Sequence, residues 1–220
     1  MTKPVSYLLF DLDNTLYRAS SGLSDEMDMR MTRFVARHMG MSLEEAGRLR
    51  HQGYVKYGTT LRWLIEEAGL DNPMDFLQEV HPAEVGDYIA HEPGLRRLLD
   101  SIPLRKAVLT NSPLFHAERV LEHCGIRPCF ERVFDLVFNQ YKGKPDPSSY
   151  LRVLDNLGLE AGEVLFIDDV PRYLEGFRAL GGQCLLVDEG GWHLDAGFPA
   201  IGHMEDLPGW LAGQTRNNEV

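Results

Sequence analysis

Short apolar runs that end in polar residues are the feature of this sequence that most constrains its fold. The first, Val5–Phe10, is rich in β-forming residues, is too short for a helix and ends at Asp11. Three further runs have the same character: Ala107–Leu109, Val164–Ile167 and Cys184–Val187. Val133–Phe138 is a fifth, weaker candidate. Continuous apolar runs are typical of strands that are covered on both faces of a sheet.

Helical patterns separate these runs. Apolar residues recur at helical spacing after Pro113, Pro147 and Pro171, and each proline suits the first turn of a helix, where no backbone N–H is needed. Alternation of strand and helix indicates a parallel sheet with crossover connections. The predicted fold class is therefore α/β, with a Rossmann-like parallel sheet as its core.

Residues 17–92, which we call the helical insertion, interrupt this alternation because they contain almost no strand-like run. Ser24 is a candidate N-cap for a first helix, and Ser42 begins a capping box for the second. Further helical stretches are expected at about 60–68 and 74–81. The sequence thus predicts an all-helical insertion between the first strand and the rest of the sheet.

The predicted domains are an α/β core made of residues 1–16 and 93–220 and a helical domain made of residues 17–92. The glycine-rich tail beyond Asp188 is expected to be a loop with a short helix near Leu207–Leu211. We expect residues 214–220 to be disordered, as chain ends often are.

Composition excludes several classes of function. The formal net charge is −11, from 22 Lys and Arg against 33 Asp and Glu, so the basic footprint of a nucleic-acid-binding protein is missing. The apolar runs are shorter than the ~18 residues that a membrane span requires, and the first residues lack the apolar stretch of a signal peptide. Three cysteines without a CxxC pair indicate reduced thiols. We expect a cytoplasmic monomer or homodimer.

Polar residues at the strand ends carry the candidate chemistry, since ligands of open parallel sheets bind there. Asp11 and Asp13 lie two residues apart. Carboxylates held close together repel, so one tends to keep a proton, which suits a nucleophile beside a general acid. Asp168 and Asp169 add two more acids, and four acids at one edge need a cation; oxygen ligands favour Mg²⁺. Lys144 adds a positive charge before a predicted helix.

This ordered set resembles the haloacid dehalogenase (HAD) superfamily of phosphohydrolases. Its four motifs are matched by Asp11-Leu12-Asp13-Asn14-Thr15, Thr110-Asn111, Lys144-Pro145 and Asp168-Asp169. The helical insertion resembles the helical cap of that superfamily. The resemblance covers nearly the whole chain up to about Val187, and the combination of motifs is far more specific than any one of them.

A narrower likeness points to the pyrimidine 5′-nucleotidase group within the superfamily. It rests on four segments: Phe10–Tyr17, Tyr57-Gly58-Thr59-Thr60-Leu61, Val80-His81, and Thr110-Asn111-Ser112 with His116-Ala117. After Asp169 the sequence continues Val170-Pro171-Arg172, which departs from the Ser-x-x-Asn pattern more usual there.

The resemblance implies roles for these residues. Asp11 attacks phosphorus and becomes an aspartyl-phosphate, while Asp13 protonates the leaving alkoxide and then activates water. Lys144 neutralises charge, and Thr110 with Asn111 binds the phosphoryl group. The implied Mg²⁺ ligands are Asp11, the main-chain carbonyl of Asp13, Asp168 and Asp169.

Four residues of the helical insertion are candidates for facing the substrate: Tyr54, Tyr57, Thr59 and Thr60. Ring faces would stack on a base, and hydroxyls would bind its edge. His81 and His116 are interpreted as structural or capping residues.

The predicted function is a Mg²⁺-dependent phosphatase of a small phosphorylated metabolite, namely a pyrimidine nucleoside 5′-monophosphate such as UMP or CMP. Alternatives are a phosphatase of phosphoglycolate or of a sugar phosphate, and a phosphomutase. A haloacid dehalogenase uses the same first acid but has no alkoxide to protonate, so Asp13 argues against it. A non-enzymatic phospho-acceptor switch is disfavoured because receivers order their acids, Thr and Lys differently along the chain.

Overall fold

A six-stranded sheet, every strand pair parallel, forms the centre of the protein in the computed structural model, which describes residues 3–193 and 195–217. The strands are β1 (Tyr7–Phe10), β2 (Arg105–Leu109), β3 (Arg132–Phe134), β4 (Val164–Asp168), β5 (Gln183–Val187) and β6 (Ala200–Ile201). Their order is β3-β2-β1-β4-β5-β6. This is the order of a doubly wound Rossmann-like sheet, so the predicted fold class is confirmed.

Both faces of the sheet are covered, as the continuous apolar runs predicted. Within β1, Leu8 and Phe10 belong to the apolar cluster on one face, and Tyr7 and Leu9 belong to the cluster on the other. All four residues are at most 1% exposed. Because successive side chains of a strand point to opposite faces, β1 contributes to two separate cores.

Nine helices lie in the described part of the chain: α1 (Leu23–Met39), α2 (Leu43–Tyr57), α3 (Thr60–Glu66), α4 (Pro73–Val80), α5 (Pro93–Ser101), α6 (Leu114–His123), α7 (Pro147–Leu157), α8 (Pro171–Arg178) and α9 (Leu207–Asn217). Ser42 caps α2 as predicted, accepting a hydrogen bond from the N–H of Glu45. Ser24 does not cap α1. Gly22 precedes that helix in a left-handed conformation, and the Ser24 hydroxyl donates to Asn14 Oδ1.

The helical insertion contributes most of a third apolar cluster, which also includes Leu136. Phe34, Leu61, Trp63 and Phe76 are buried there, contributed by α1, α3 and α4. Gly53 of α2 is required for this packing, since a Cβ at that position would lie 2.3 Å from Trp63 Cγ. The boundaries of a cap domain at 17–92 and of a core at 1–16 and 93–220 stay a prediction.

Two expectations about where elements end need correction. The candidate strand Val133–Phe138 ends at Phe134 because the carboxylate of Asp135 accepts hydrogen bonds from the N–H groups of Leu114 and Phe138. The predicted short helix is confirmed but extends to Asn217, so residues 214–217 are helical, and 218–220 lie outside the described residues. Among the described helices, none combines the length and the apolarity needed to cross a membrane.

Candidate active site

Three carboxylates meet at the carboxyl ends of β1 and β4. Asp11 follows β1 directly, Asp168 is the last residue of β4, and Asp169 comes next. One oxygen from each lies within 4.8 Å of the other two. In the sheet, β2 and β3, which follow β1 in sequence, lie on one side of it, and β4 to β6 lie on the other. β1 and β4 therefore flank the topological switch point, where open α/β sheets bind ligands.

A buried lysine joins two of the three acids. Lys144 Nζ donates to Asp11 Oδ1 at 2.5 Å and to Asp168 Oδ2 at 2.7 Å. Its side chain is fully buried, and Nζ lies 5.3 Å from the ring centre of Phe166 and 5.0 Å from that of Tyr173. The rings keep water away from the ion pairs, which strengthens the attraction between their charges.

Asn111 holds the backbone of this lysine in place. Its Oδ1 accepts from the Lys144 N–H at 2.8 Å, and its Nδ2 donates to the Lys144 carbonyl at 2.9 Å. Gly143 allows the close approach, since a Cβ there would lie 2.2 Å from Asn111 Oδ1. Both the oxygen and the nitrogen of the Asn111 amide thus form hydrogen bonds to the Lys144 backbone. The contact of Asn111 with phosphate stays a prediction.

The ionisation of the cluster follows from burial and crowding of like charge. Burial, opposed by the charge of Lys144 but reinforced by Asp168 and Asp13, raises the pKa of Asp11 to about 7. Burial also raises the pKa of Asp168, and burial together with its two acidic neighbours holds the pKa of Asp169 well above its usual range. For Lys144, burial is outweighed by Asp11 and Asp168, and the pKa lies above its ordinary value.

The cluster fits a divalent cation that prefers oxygen ligands. With all groups ionised, the three acids and Lys144 leave two negative charges uncompensated, which Mg²⁺ would balance. Asn14 and Thr15 give long hydrogen bonds to Asp169, of 3.4 and 3.5 Å. The ligand role of the Asp13 carbonyl stays a prediction, and the Asp13 carboxylate is not one of the three clustered acids.

The Asp13 carboxylate is held in a separate set of hydrogen bonds. Its Oδ1 accepts from Tyr17 at 2.8 Å and contacts His116 Nε2 at 2.9 Å, and its Oδ2 accepts from Ser112 at 2.6 Å. These partners come from the loop after β1, from α6 and from the loop after β2. The Asp13 side chain is 18% exposed and lines the neighbouring cavity.

The two acids of the pair lie in different environments, since Asp11 is bound by Lys144 and Asp13 by His116, Ser112 and Tyr17. Burial alone would raise the pKa of Asp13, but the neighbouring His116 and the hydrogen bonds from His116, Ser112 and Tyr17 outweigh it and hold that pKa well below its usual range. Asp13 is consequently a carboxylate in the resting protein. A bound phosphate beside it would raise its pKa, since like charges disfavour the ionised form.

Thr110 follows β2 at the same edge of the sheet and is buried. Its hydroxyl oxygen accepts a hydrogen bond from the N–H of Ser112 at 2.9 Å, which closes a tight turn ahead of α6. The turn brings Ser112 to Asp13. Binding of a phosphoryl oxygen by Thr110 stays a prediction.

A cavity of about 360 Å³ lies between the helical insertion and the sheet edge. This volume is within the roughly 300–1,000 Å³ that small-molecule sites occupy. The lining residues from the sheet side are Asp13, Asn111, Ser112, Leu136 and Tyr173; those from the helical insertion are Met27, Asp28, Met31, Arg50, His51, Tyr54, Gly58, Thr59, Thr60, Leu61, Phe76, Leu77 and His81.

Of the two candidate tyrosines, the structure brings only Tyr54 to this cavity. Tyr57 is absent from its lining and packs, half-buried, against the apolar cluster of the helical insertion. The two residues lie three apart on α2, and the prediction that Tyr57 faces the substrate therefore lacks support from its position. Thr59 and Thr60 do line the cavity, although the Thr59 hydroxyl also caps α3.

The family model of haloacid dehalogenase-like hydrolases matches residues 5–181. The chain belongs to this family. As a member of the haloacid dehalogenase-like hydrolases, it resembles Phosphate metabolism protein 8 of Saccharomyces cerevisiae, with 29% identity over 188 residues, 78% of this chain and 58% of that protein. It also resembles a phosphoglycolate phosphatase of Rhodospirillum rubrum, with 26% identity over 208 residues, 83% of this chain and 79% of that protein. The chain therefore spans little more than half the length of the yeast relative.

Solved structures with the same fold include two from this family of hydrolases. A HAD phosphatase from Thermococcus onnurineus has a TM-score of 0.64 at 17% identity, covering 95% of this chain and 99% of that one. L-2-haloacid dehalogenase from Xanthobacter autotrophicus has a TM-score of 0.61 at 18% identity with the same coverage. At these identities, the likeness demonstrates the fold alone.

The sequence named several residues of the candidate site only as parts of family-like segments, without the contacts that they make. Tyr17, Ser112 and His116 surround Asp13, and His116 lies 103 positions away from it in the chain. The family-like segment that contains His116 drew attention to this residue but did not indicate that it contacts Asp13. Arg172 occupies the segment that departs from the usual pattern. From α8 it donates to the carbonyls of Tyr54 and Val55, at 3.2 and 2.9 Å, near the end of α2.

Proposed function

We propose that this protein is a Mg²⁺-dependent phosphatase that hydrolyses a small phosphate monoester, with residues 17–92 acting as a cap over the site. One observation carries the proposal. Asp11, held by Lys144 beside two further acids, lies at the sheet edge, and a second carboxylate two residues on, Asp13, faces the adjoining cavity. Relatives that are named phosphatases support the reaction class.

The second carboxylate favours phosphoryl transfer over dehalogenation. A halide leaves without a proton, so a dehalogenase has no use for an acid facing the leaving group. An alkoxide needs a proton, and a positioned acid contributes about 10²–10⁴-fold to such a step. Three donors from three parts of the chain hold the Asp13 carboxylate, which indicates that its orientation matters for the reaction.

In the first step, a carboxylate oxygen of Asp11 attacks phosphorus and the bond to the ester oxygen breaks. Asp13 transfers a proton to that oxygen, so the alcohol leaves neutral. Lys144 stabilises the negative charge on the reacting groups through its contact with Asp11. Mg²⁺, when bound by Asp11, Asp168 and Asp169, would supply further stabilisation of charge on the phosphoryl oxygens.

In the second step, Asp13 takes a proton from water, and the water oxygen attacks phosphorus. The bond between phosphorus and Asp11 breaks, inorganic phosphate leaves, and the Asp11 carboxylate is restored. Asp13 thus regains the proton that it gave to the alcohol. It releases this proton to solvent once phosphate has left, and takes one up again when the next phosphate group binds beside it. Its environment, which favours the ionised form, suits the role of base in this step.

The cavity favours a substrate whose far end is a neutral, flat ring with hydrogen-bonding groups. Arg50 is the one arginine in its lining, and its guanidinium donates to Asp28 Oδ1 at 2.5 Å. That pair offers a donor beside an acceptor, and its charges balance. A nucleobase edge matches such a pair better than the carboxylate of phosphoglycolate does. Tyr54 and the apolar lining residues provide surface for a ring.

We therefore propose pyrimidine nucleoside 5′-monophosphates, UMP and CMP, as substrates. The test is kcat/KM with Mg²⁺ for UMP, CMP, AMP, GMP, phosphoglycolate and p-nitrophenyl phosphate. We expect UMP and CMP to exceed the purine nucleotides by about 10-fold, which needs about 1.4 kcal/mol of differential binding. If phosphoglycolate or a sugar phosphate is preferred, the substrate is wrong and the reaction class stands. If none releases phosphate, the reaction class is wrong.

A pair of tyrosine variants tests the cavity itself. Tyr54→Ala should lower kcat/KM for UMP more than for p-nitrophenyl phosphate, because Tyr54 lines the cavity and the small ester needs less of it. Tyr57→Ala, three positions along the same helix, is the matched control and should leave the ratio of the two substrates unchanged. Equal effects of both variants on UMP would contradict the assignment of the cavity.

A further inference from the structure

The hydrogen bond between His116 and Asp13 lies outside the four motifs and joins two distant parts of the chain. His116 is on α6 and completely buried, and its Nε2 lies 2.9 Å from Asp13 Oδ1. An ionised carboxylate only accepts hydrogen bonds, so the imidazole carries a proton on Nε2 when Asp13 is ionised. Asp13 and Ser112 line the cavity, whereas His116 does not, so the imidazole lies behind the carboxylate.

Packing alone does not explain a histidine at this position. Its other ring nitrogen, Nδ1, is buried and finds no hydrogen-bond partner among the residues that the structure describes. Burying a polar atom without a partner is unfavourable. An apolar side chain on the buried face of α6 would avoid that cost. The contact with Asp13 is the gain that offsets it.

The direction of the hydrogen bond suits control of the Asp13 orientation. Tyr17 also donates to Oδ1, and Ser112 donates to Oδ2. The ring of His81, at the end of α4 in the helical insertion, packs against that of His116 with 4.7 Å between ring centres. His116 is therefore fixed from both sides, and it in turn limits rotation of the carboxylate about its own bond.

We infer that His116 is a positioning residue for the general acid, which holds the Asp13 carboxylate towards the leaving group of the substrate. This inference rests on the proposed phosphatase function. The role interpreted from the sequence, structural or capping, predicts instead that losing the imidazole disturbs the fold and affects every substrate alike.

Two esters of similar size separate these possibilities. Nitrophenolate leaves without help from an acid, whereas phenolate gains from one, so phenyl phosphate depends more on a correctly oriented Asp13. Because kcat/KM covers the steps up to formation of the phosphoenzyme, it excludes the later use of Asp13 as a base. We expect His116→Leu to lower kcat/KM about 10-fold more for phenyl phosphate than for p-nitrophenyl phosphate.

Two variants complete the comparison. His116→Gln keeps an N–H near the position of Nε2 and should recover most of the loss, while Asp13→Asn should reproduce the leaving-group dependence more strongly. His123→Leu is the matched control. His123 lies on the same helix, contacts the carbonyl of Ile89 at 2.8 Å and is remote from Asp13 in the hydrogen-bond network, so the ratio of the two esters should not change.

The outcomes distinguish the inference from the function on which it rests. Equal losses for both esters in His116→Leu, or no recovery in His116→Gln, would overturn the positioning role. If His116→Leu does not fold, His116→Asn, whose shorter amide does not reach the position of Nε2, takes its place against His116→Gln. A wild-type protein that hydrolyses neither ester would overturn the proposed function itself.

Discussion

Replacing Asp11 by Asn should abolish turnover and, without metal, make the protein more stable. An amide is nearly the same size as a carboxylate but is a poor nucleophile, so we expect a loss of at least about 10⁴-fold, comparable to what losing a covalent nucleophile costs other hydrolases. The gain in stability comes from relief of charge crowding. Asp168 and Asp169 remain close by, and Lys144 keeps its bond to Asp168.

The size of the gain follows from the raised pKa of Asp11, about 7 against an ordinary value of 3.8. When a carboxyl group has a higher pKa in the folded than in the unfolded protein, its protonated form favours the folded state. This contribution is complete below the unfolded pKa and is lost as the pH rises through the folded pKa. At about 1.4 kcal/mol for each pKa unit, ionised Asp11 lowers the free energy of unfolding by up to about 4 kcal/mol at pH 8. Asn carries no charge and avoids this loss. The difference in free energy of unfolding between Asp11→Asn and the wild type should therefore grow from pH 4 to pH 7 and then level off.

Magnesium should narrow this difference in stability. The wild-type cluster offers two uncompensated negative charges to Mg²⁺, and that of Asp11→Asn offers one, so saturating Mg²⁺ stabilises the wild type more. At a free Mg²⁺ concentration of 100 times Kd, binding contributes about 2.7 kcal/mol to the free energy of unfolding. Urea unfolding followed by circular dichroism, in EDTA and in Mg²⁺, measures both differences. A variant less stable than wild type in EDTA, or a difference that Mg²⁺ leaves unchanged, would refute the charge argument. Phosphate release within 10-fold of wild type would refute the role of nucleophile.

Three further predictions follow from the structure. Exhaustive chelation should remove activity, Mg²⁺ should restore it and Ca²⁺ should not, because Ca²⁺ accepts looser geometry and higher coordination; activity that survives chelation would contradict the metal site. Gly53→Ala should lower the free energy of unfolding by about 1–3 kcal/mol, since the new Cβ meets Trp63; a calorimetric Tm at or above wild type would show that the ring moves aside without cost. Burial raises the pKa of Cys124 and of Cys129 to about 11 and that of Cys184 to about 12, so alkylation by iodoacetamide at pH 8 should be much slower in native than in urea-unfolded protein, and comparable rates would contradict it.

The strands of the core were predictable because each is a short apolar run with a polar residue at its end. Phe10 and Asp11 mark such a boundary within the sequence itself. β6 escaped prediction, since it has two residues, one of them the exposed Ala200, and owes its existence to pairing with β5. The early end of β3 at Phe134 likewise depends on Asp135 bonding to a helix start more than 20 positions away.

In the site, the acids and the lysine were predictable from type and order, and their environments were not. The sequence placed Asp11 and Asp13 together as one repelling pair. The structure separates them, because Lys144 binds the first and His116 the second. The position of Tyr54 in the cavity, with Tyr57 outside it, depends on how α2 is rotated against its neighbours, which spacing along one helix does not determine.

The pairing of β1 with β4 has a consequence for how a cell makes this protein. Tyr7 leaves the ribosome before its neighbour Val164, which follows roughly 160 residues later; at about 5–20 residues per second this is a delay of roughly 8–30 s. Throughout that interval, a strand destined for complete burial has an unpaired edge. The rate of translation between β1 and β4 therefore sets how long this edge of β1 stays without its partner strand.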